Sequence, residues 1–92
     1  MAHKTLKIIV KGRVQGVGFR WFTRELAQSV GVKGTVRNLV NGDVEVVAQA
    51  DIHALDYFLS KLKEGPRFGS VEQVEVTELP DAQLFSSFDV TF

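Results

Sequence analysis

Across Gly12-Arg13-Val14-Gln15-Gly16-Val17-Gly18-Phe19-Arg20 the chain changes its hydrophobic period, and that change limits what it can fold into. Before this segment, Leu6, Ile8 and Val10 alternate with Thr5, Lys7 and Lys11, the period of two that marks a strand with one buried face. After it, Phe19, Phe22, Thr23, Leu26, Ala27 and Val30 recur at steps of three and four, the stripe of an amphipathic helix running from about Arg20 to Val30. Three glycines within seven residues let the backbone turn tightly between the two elements. Such a turn can aim successive N–H groups into one concavity, and concavities of that kind bind anions. The start of the helix adds unpaired N–H groups and the positive end of its dipole. Arg20 stands at the mouth with a fork of donors suited to phosphate oxygens. The pattern alone also fits a plain strand-to-helix turn beside a solvated arginine. No lysine followed by Ser or Thr closes the loop as in a P-loop, and the spacing is not Gly-x-Gly-x-x-Gly.

The remaining chain reads in the same way. Gly31 is placed to end the helix in a left-handed cap. A second strand from Gly34 to Leu39 runs into Asn41-Gly42, a strong hairpin signal, and Val44 and Val46 alternate with Glu45 and Val47 in the returning strand. Asp51 can cap a second helix whose apolar stripe is Ile52, Leu55, Phe58, Leu59 and Leu62, stopped by Gly65-Pro66. Two more strands follow, Val71 to Leu79 and Phe85 to Phe92, with Pro80-Asp81 turning between them. The order is βαββαβ plus a final strand. Two helices on one face of an antiparallel sheet make an α+β sandwich of the ferredoxin-like kind. Ninety-two residues suffice for one domain, residues 1–92, around a single core.

Composition removes several chemistries. The chain has no cysteine, which excludes disulfides, thiolate nucleophiles and zinc–sulfur sites together. His3 near the terminus and His53 beside the stripe of the second helix read as solvated, and no His and carboxylate cluster has metal-ligand spacing. Glu72, Glu75 and Glu78 are three apart, so a strand scatters them across its faces. Neither a metal nor an organic cofactor is expected. The N-terminus carries no signal-peptide pattern and no segment is long and apolar enough to span a membrane, so a cytoplasmic protein without a membrane partner is expected. The net charge of zero hides an asymmetry: residues 1–37 hold eight Lys/Arg and one acid, Glu25, a net of +7, and the rest balances it at −7. A basic half around the glycine loop suits an anionic substrate, unless folding interleaves the halves in one sheet.

Val10-Lys11-Gly12-Arg13-Val14-Gln15-Gly16-Val17-Gly18-Phe19-Arg20 resembles the first signature of the acylphosphatase family, and Gly34-Thr35-Val36-Arg37-Asn38-Leu39-Val40-Asn41-Gly42-Asp43-Val44 resembles the second. Thr35, where an aromatic is frequent, and Ala50, where glycine usually ends the second signature, depart from the pattern. The resemblance implies the ferredoxin-like strand order with the last strand as an extra. It also implies a small free-standing hydrolase of acyl phosphates. By the same resemblance Arg20 binds the phosphate and Asn38 holds the attacking water. The backbone N–H groups of Gln15, Gly16, Val17, Gly18, Phe19 and Arg20 hold the phosphoryl oxygens. From the residues alone, Asn38 also fits a turn residue serving the hairpin.

The sparse site accords with such a substrate. A phosphate monoester expels an alkoxide, which needs a metal or a general acid. An acyl phosphate expels a carboxylate whose conjugate acid has a pKa of about 4, so it departs unprotonated at neutral pH. The expected partners are therefore a small acyl phosphate and inorganic phosphate as product. A nucleic-acid partner is not expected, although RNA-recognition modules share the βαββαβ order. Those modules stack bases on aromatics of their central strands, and Lys7-Ile8-Ile9-Val10 and Val44-Glu45-Val46-Val47-Ala48 contain none. Metal carriage usually needs thiolates, whereas phosphate binding without turnover stays open as a rival reading. No large apolar patch is evident on the exposed faces, so a monomer is expected.

Overall fold

The computed structural model describes residues 3–92, and Met1 and Ala2 lie outside them. Seven elements follow in order: β1 (Lys4–Arg13), α1 (Phe19–Val30), β2 (Lys33–Asn38), β3 (Val44–Ala50), α2 (Ile52–Glu64), β4 (Ser70–Glu78) and β5 (Phe88–Val90). The strands form one sheet in the order β4-β1-β3-β2-β5. This is the ferredoxin-like α+β architecture, with β5 as the additional strand.

The period-two pattern decides which face is buried. Ile8 and Val10 of β1, Val36 of β2, and Val44, Val46 and Ala48 of β3 all face the helices and are closed to solvent. Phe19 and Ala27 of α1 and Leu55, Phe58 and Leu62 of α2 close the core from above. Each fully buried side chain of Phe or Leu size contributes about 1.5–3 kcal/mol through apolar burial. Phe58 reaches past the helix layer to Phe88 of β5, with ring centroids 6.3 Å apart, and so ties the edge strand to the core. Ile52, expected on the stripe of α2, lies at its first position and is exposed.

The caps form as their residue types dictate. Asp51 accepts from the backbone N–H groups of His53 and Ala54, both at 3.0 Å. Those hydrogen bonds, that of Ala54 foremost, hold its carboxyl below the usual aspartate pKa. Gly31 adopts the left-handed conformation and its N–H returns to the Ala27 carbonyl. Gly34 serves a different need: a Cβ there would lie 1.8 Å from the Val47 carbonyl oxygen, so only glycine allows β2 to approach β3.

The last strand differs from expectation in length and direction. It covers Phe88–Val90 rather than Phe85 to Phe92, and it runs parallel to β2, whereas the other neighbours in the sheet are antiparallel. Both differences have one cause. β4 occupies one edge and β5 the other, so residues 79–87 must cross four strand spacings, about 19 Å. Phe85 is spent on that crossing. The crossing stays at the end of the sheet where β4 finishes and β2 begins, so β5 starts beside the start of β2 and runs with it.

Gln49 anchors the crossing segment. Its Nε2 donates to the Thr5 hydroxyl at 2.8 Å and to the Gln83 carbonyl at 3.0 Å, and its Oε1 accepts from the Phe85 N–H at 2.9 Å. Alternation assigns Gln49 to the open face of the sheet, yet it is only 5% exposed because this segment covers it. The Leu79 N–H donates to the Thr5 carbonyl and the Gly34 N–H to the Ser87 carbonyl, closing both ends of the crossing.

Candidate active site

The opposite end of the sheet carries the glycine loop. β1 ends at Arg13, and Val14 turns inward and is buried, anchoring the loop in the core. Gly16 and Gly18 have φ of 74° and 77°, a conformation costly for side chains with a Cβ. A Cβ on either would meet no atom within 4 Å, so conformation rather than space demands glycine here. Gly18 is also the N-cap of α1, which has no side-chain cap; its carbonyl accepts the first helical bond, from Phe22 N–H at 2.9 Å. Among the described residues, the N–H groups of Gln15, Gly16, Val17, Gly18 and Phe19 have no acceptor in the chain. Five free donors and a helix N-terminus therefore lie within one short stretch of chain.

Arg20 follows on the first turn. Its guanidinium lies over the ring of Phe92, 5.0 Å from the centroid, and among the described residues it forms no ion pair. Three of the eight Lys/Arg of the basic half meet acids of the other half, because folding interleaves the halves as the simpler reading of the charge pattern has it. Lys4 faces Glu78 at 3.8 Å, Lys11 meets Asp43 at 2.8 Å and Arg37 meets Glu45 at 3.0 Å. Arg20 keeps its charge for the pocket.

Asn38 is the last residue of β2 and shares the helix-facing side with Gly34 and Val36, where alternation would place an apolar residue. Its Oδ1 is buried and, among the described residues, has no hydrogen-bond partner. A buried acceptor left open costs stability unless something fills it, so this atom marks a place for a ligand or water. The reading of Asn38 as a hairpin stabiliser finds no support: Asn41 does that work, with its Oδ1 accepting from the Asp43 N–H at 3.0 Å.

These parts line one pocket of about 260 Å³ together with Val14, Phe19, Trp21, Val90 and Phe92. Of the residues singled out in the sequence, Gly16, Gly18, Phe19, Arg20 and Asn38 line it, while Gln15 and Val17 flank it in the loop. His3, His53, Glu72, Glu75 and Glu78 are exposed and do not line it. Among the described residues no group of three or more His, Asp or Glu is placed to hold a metal ion, and no helix is long and apolar enough to cross a membrane.

Two contributors were missed. The side chain of Gln15 reaches the β2–β3 connection, where its Nε2 donates to the carbonyls of Leu39 and Asp43, both at 2.8 Å. It thereby ties the glycine loop to the residue that follows Asn38. Lys11 supports the same connection through Asp43, and that hydrogen bond holds its pKa above the ordinary lysine value. The second is Phe92, which brings an aromatic face to Arg20. Its sequence signal is the period of two in Phe88, Val90 and Phe92.

Comparison with known proteins bears on family and fold. The acylphosphatase family model matches residues 6–90. The acylphosphatase of Lactobacillus gasseri is 42% identical over 90 residues, spanning 97% of this chain and 99% of that one. That of Archaeoglobus fulgidus is 45% identical over 87 residues, spanning 95% and 97%. The crystal structure of acylphosphatase from Bacillus subtilis, 36% identical, aligns with a TM-score of 0.94 over 97% of this chain and 99% of that one. With the glycine loop, Arg20 and Asn38 all inside the matched span, the chain belongs to the acylphosphatase family.

Proposed function

We propose that the protein hydrolyses acyl phosphates to a carboxylate and inorganic phosphate by direct attack of water, without a metal ion or other cofactor. Backbone N–H groups from Gln15 to Arg20 hold the phosphoryl oxygens, and the Arg20 guanidinium stabilises the charge spread over them in the transition state. The Asn38 Oδ1 accepts a hydrogen bond from the attacking water and fixes its position. The water oxygen bonds to phosphorus as the bond from phosphorus to the acyl oxygen breaks. The carboxylate leaves with that electron pair, and both water protons stay on the phosphate. No general acid is needed, because a group whose conjugate acid has a pKa of about 4 departs as the anion.

The observation that carries this reading is the buried, unpartnered Asn38 Oδ1 in the same pocket as Arg20 and the glycine-loop residues Gly16 and Gly18. Its test is hydrolysis of benzoyl phosphate at neutral pH in EDTA, comparing the native protein with Arg20→Gln. Turnover should persist with the chelator and fall by roughly two to three orders of magnitude in the variant, the scale of losing one preorganised electrostatic partner. Near-native rates in Arg20→Gln would remove its assigned role. Loss of native turnover in EDTA, restored by added metal, would overturn the metal-free mechanism. Phosphate binding without turnover would favour a sensing site.

A further inference from the structure

A second, mostly apolar groove of about 600 Å³ adjoins the phosphate pocket, lined by Val17, Phe22, Leu26, Pro66 and Phe68 and sharing Gly18 and Trp21 with it. Helix geometry explains the sharing. Successive residues are about 100° apart around the axis, so Arg20 and Phe22 lie about 160° apart on α1. Arg20 lines the pocket, Phe22 lines the groove, and Trp21 between them is a wall common to both. Trp21 is 62% and Phe68 72% exposed, and Arg67 stacks over the Phe68 ring at 5.7 Å. Exposed rings walling an apolar groove are unusual unless something covers them.

We propose that this groove receives the carbon skeleton of the substrate, so that the protein favours acyl phosphates with a bulky apolar acyl group over small ones. The inference rests on the acyl phosphate reading above. In-line displacement sets the attacking water and the leaving carboxylate on opposite sides of phosphorus. Asn38 lines the phosphate pocket and not the groove. With water held at Asn38, the acyl oxygen points away from it, and the groove beyond Trp21 is the apolar space that continues from the pocket. A non-reacting acyl group buried there also helps to orient the phosphoryl group.

The test compares benzoyl phosphate with acetyl phosphate on the native protein, Phe68→Ala and Phe68→Leu, with inhibition by inorganic phosphate measured in each. Phe68→Ala should lower kcat/KM for benzoyl phosphate by about tenfold, within the range for lost apolar contacts in a specificity pocket. It should leave acetyl phosphate turnover and phosphate inhibition unchanged, and Phe68→Leu should retain most of the preference. Equal losses on both substrates, or none on either, would overturn the assignment of the groove and leave hydrolysis itself standing. Failure of the native protein to hydrolyse either substrate would instead remove the acyl phosphate reading, and this inference with it.

Discussion

Each end of the sheet has an irregular segment held by a glutamine, and the two glutamines act differently. At one end Gln49 uses both sides of its amide on the crossing segment and Thr5, donating twice and accepting once. The backbone there is also tied, through Leu79 to Thr5 and Gly34 to Ser87. At the other end Gln15 reaches away from its own loop to the carbonyls of Leu39 and Asp43, and leaves the loop N–H groups open. Both loops are fixed in place, but Gln49 takes up two backbone groups of the crossing segment, whereas Gln15 ties its loop outward and takes up none of that loop's N–H groups. Rigidity that leaves donors open beside a pocket is what preorganised binding requires, whereas the crossing segment lines neither cavity and its ties only close the fold.

The sharpest way to separate the ends is to remove a group that only one of them should need. Asn38→Ala should lower kcat by about a hundredfold, near the lower bound for losing one positioned polar group. Inhibition by inorganic phosphate should stay near native, because the loop and Arg20 remain; a parallel loss of phosphate affinity would return Asn38 to a structural role. At the far end, Gln49→Ala strands the Phe85 N–H and the Gln83 carbonyl, and should cost about 2 kcal/mol of stability in urea unfolding. Its kcat at low temperature should be unchanged; an activity loss without a stability loss would erase the contrast between the ends. The smallest effect belongs to Gln15→Ala. Loosening the loop should lower kcat/KM by about tenfold, a fraction of what misplaced reacting groups can cost. A drop in stability as large as that of Gln49→Ala would mean that both glutamines are structural.

Local chemistry made much of the fold legible. The change of period at the glycine loop, the Asp51 and Gly31 caps and the Asn41-Gly42 turn each act within a few residues, and each appears where expected. Asn38 also carried a local signal, a polar residue in phase with Val36 on the buried side of β2. The illegible parts depend on residues far apart in the chain. Gln15 meets Leu39 and Asp43 only after β2 and β3 have paired beside β1. The groove needs Trp21 beside Phe68, and Arg20 finds Phe92 only because β5 lies next to β2. Gln49 is buried by a crossing segment that alternation cannot foresee. Period and cap describe elements, and these contacts describe how elements meet.

The short parallel strand β5 has a kinetic consequence. The wall of the pocket includes Val90 and Phe92 as well as Val14 and Asn38, so it closes only when the end of the chain reaches the far edge of the sheet. Contacts so distant in sequence form against a large loss of chain entropy, and in refolding they trail local structure. Helical ellipticity should therefore return before turnover does, which makes regained catalysis a clock for the final docking of β5.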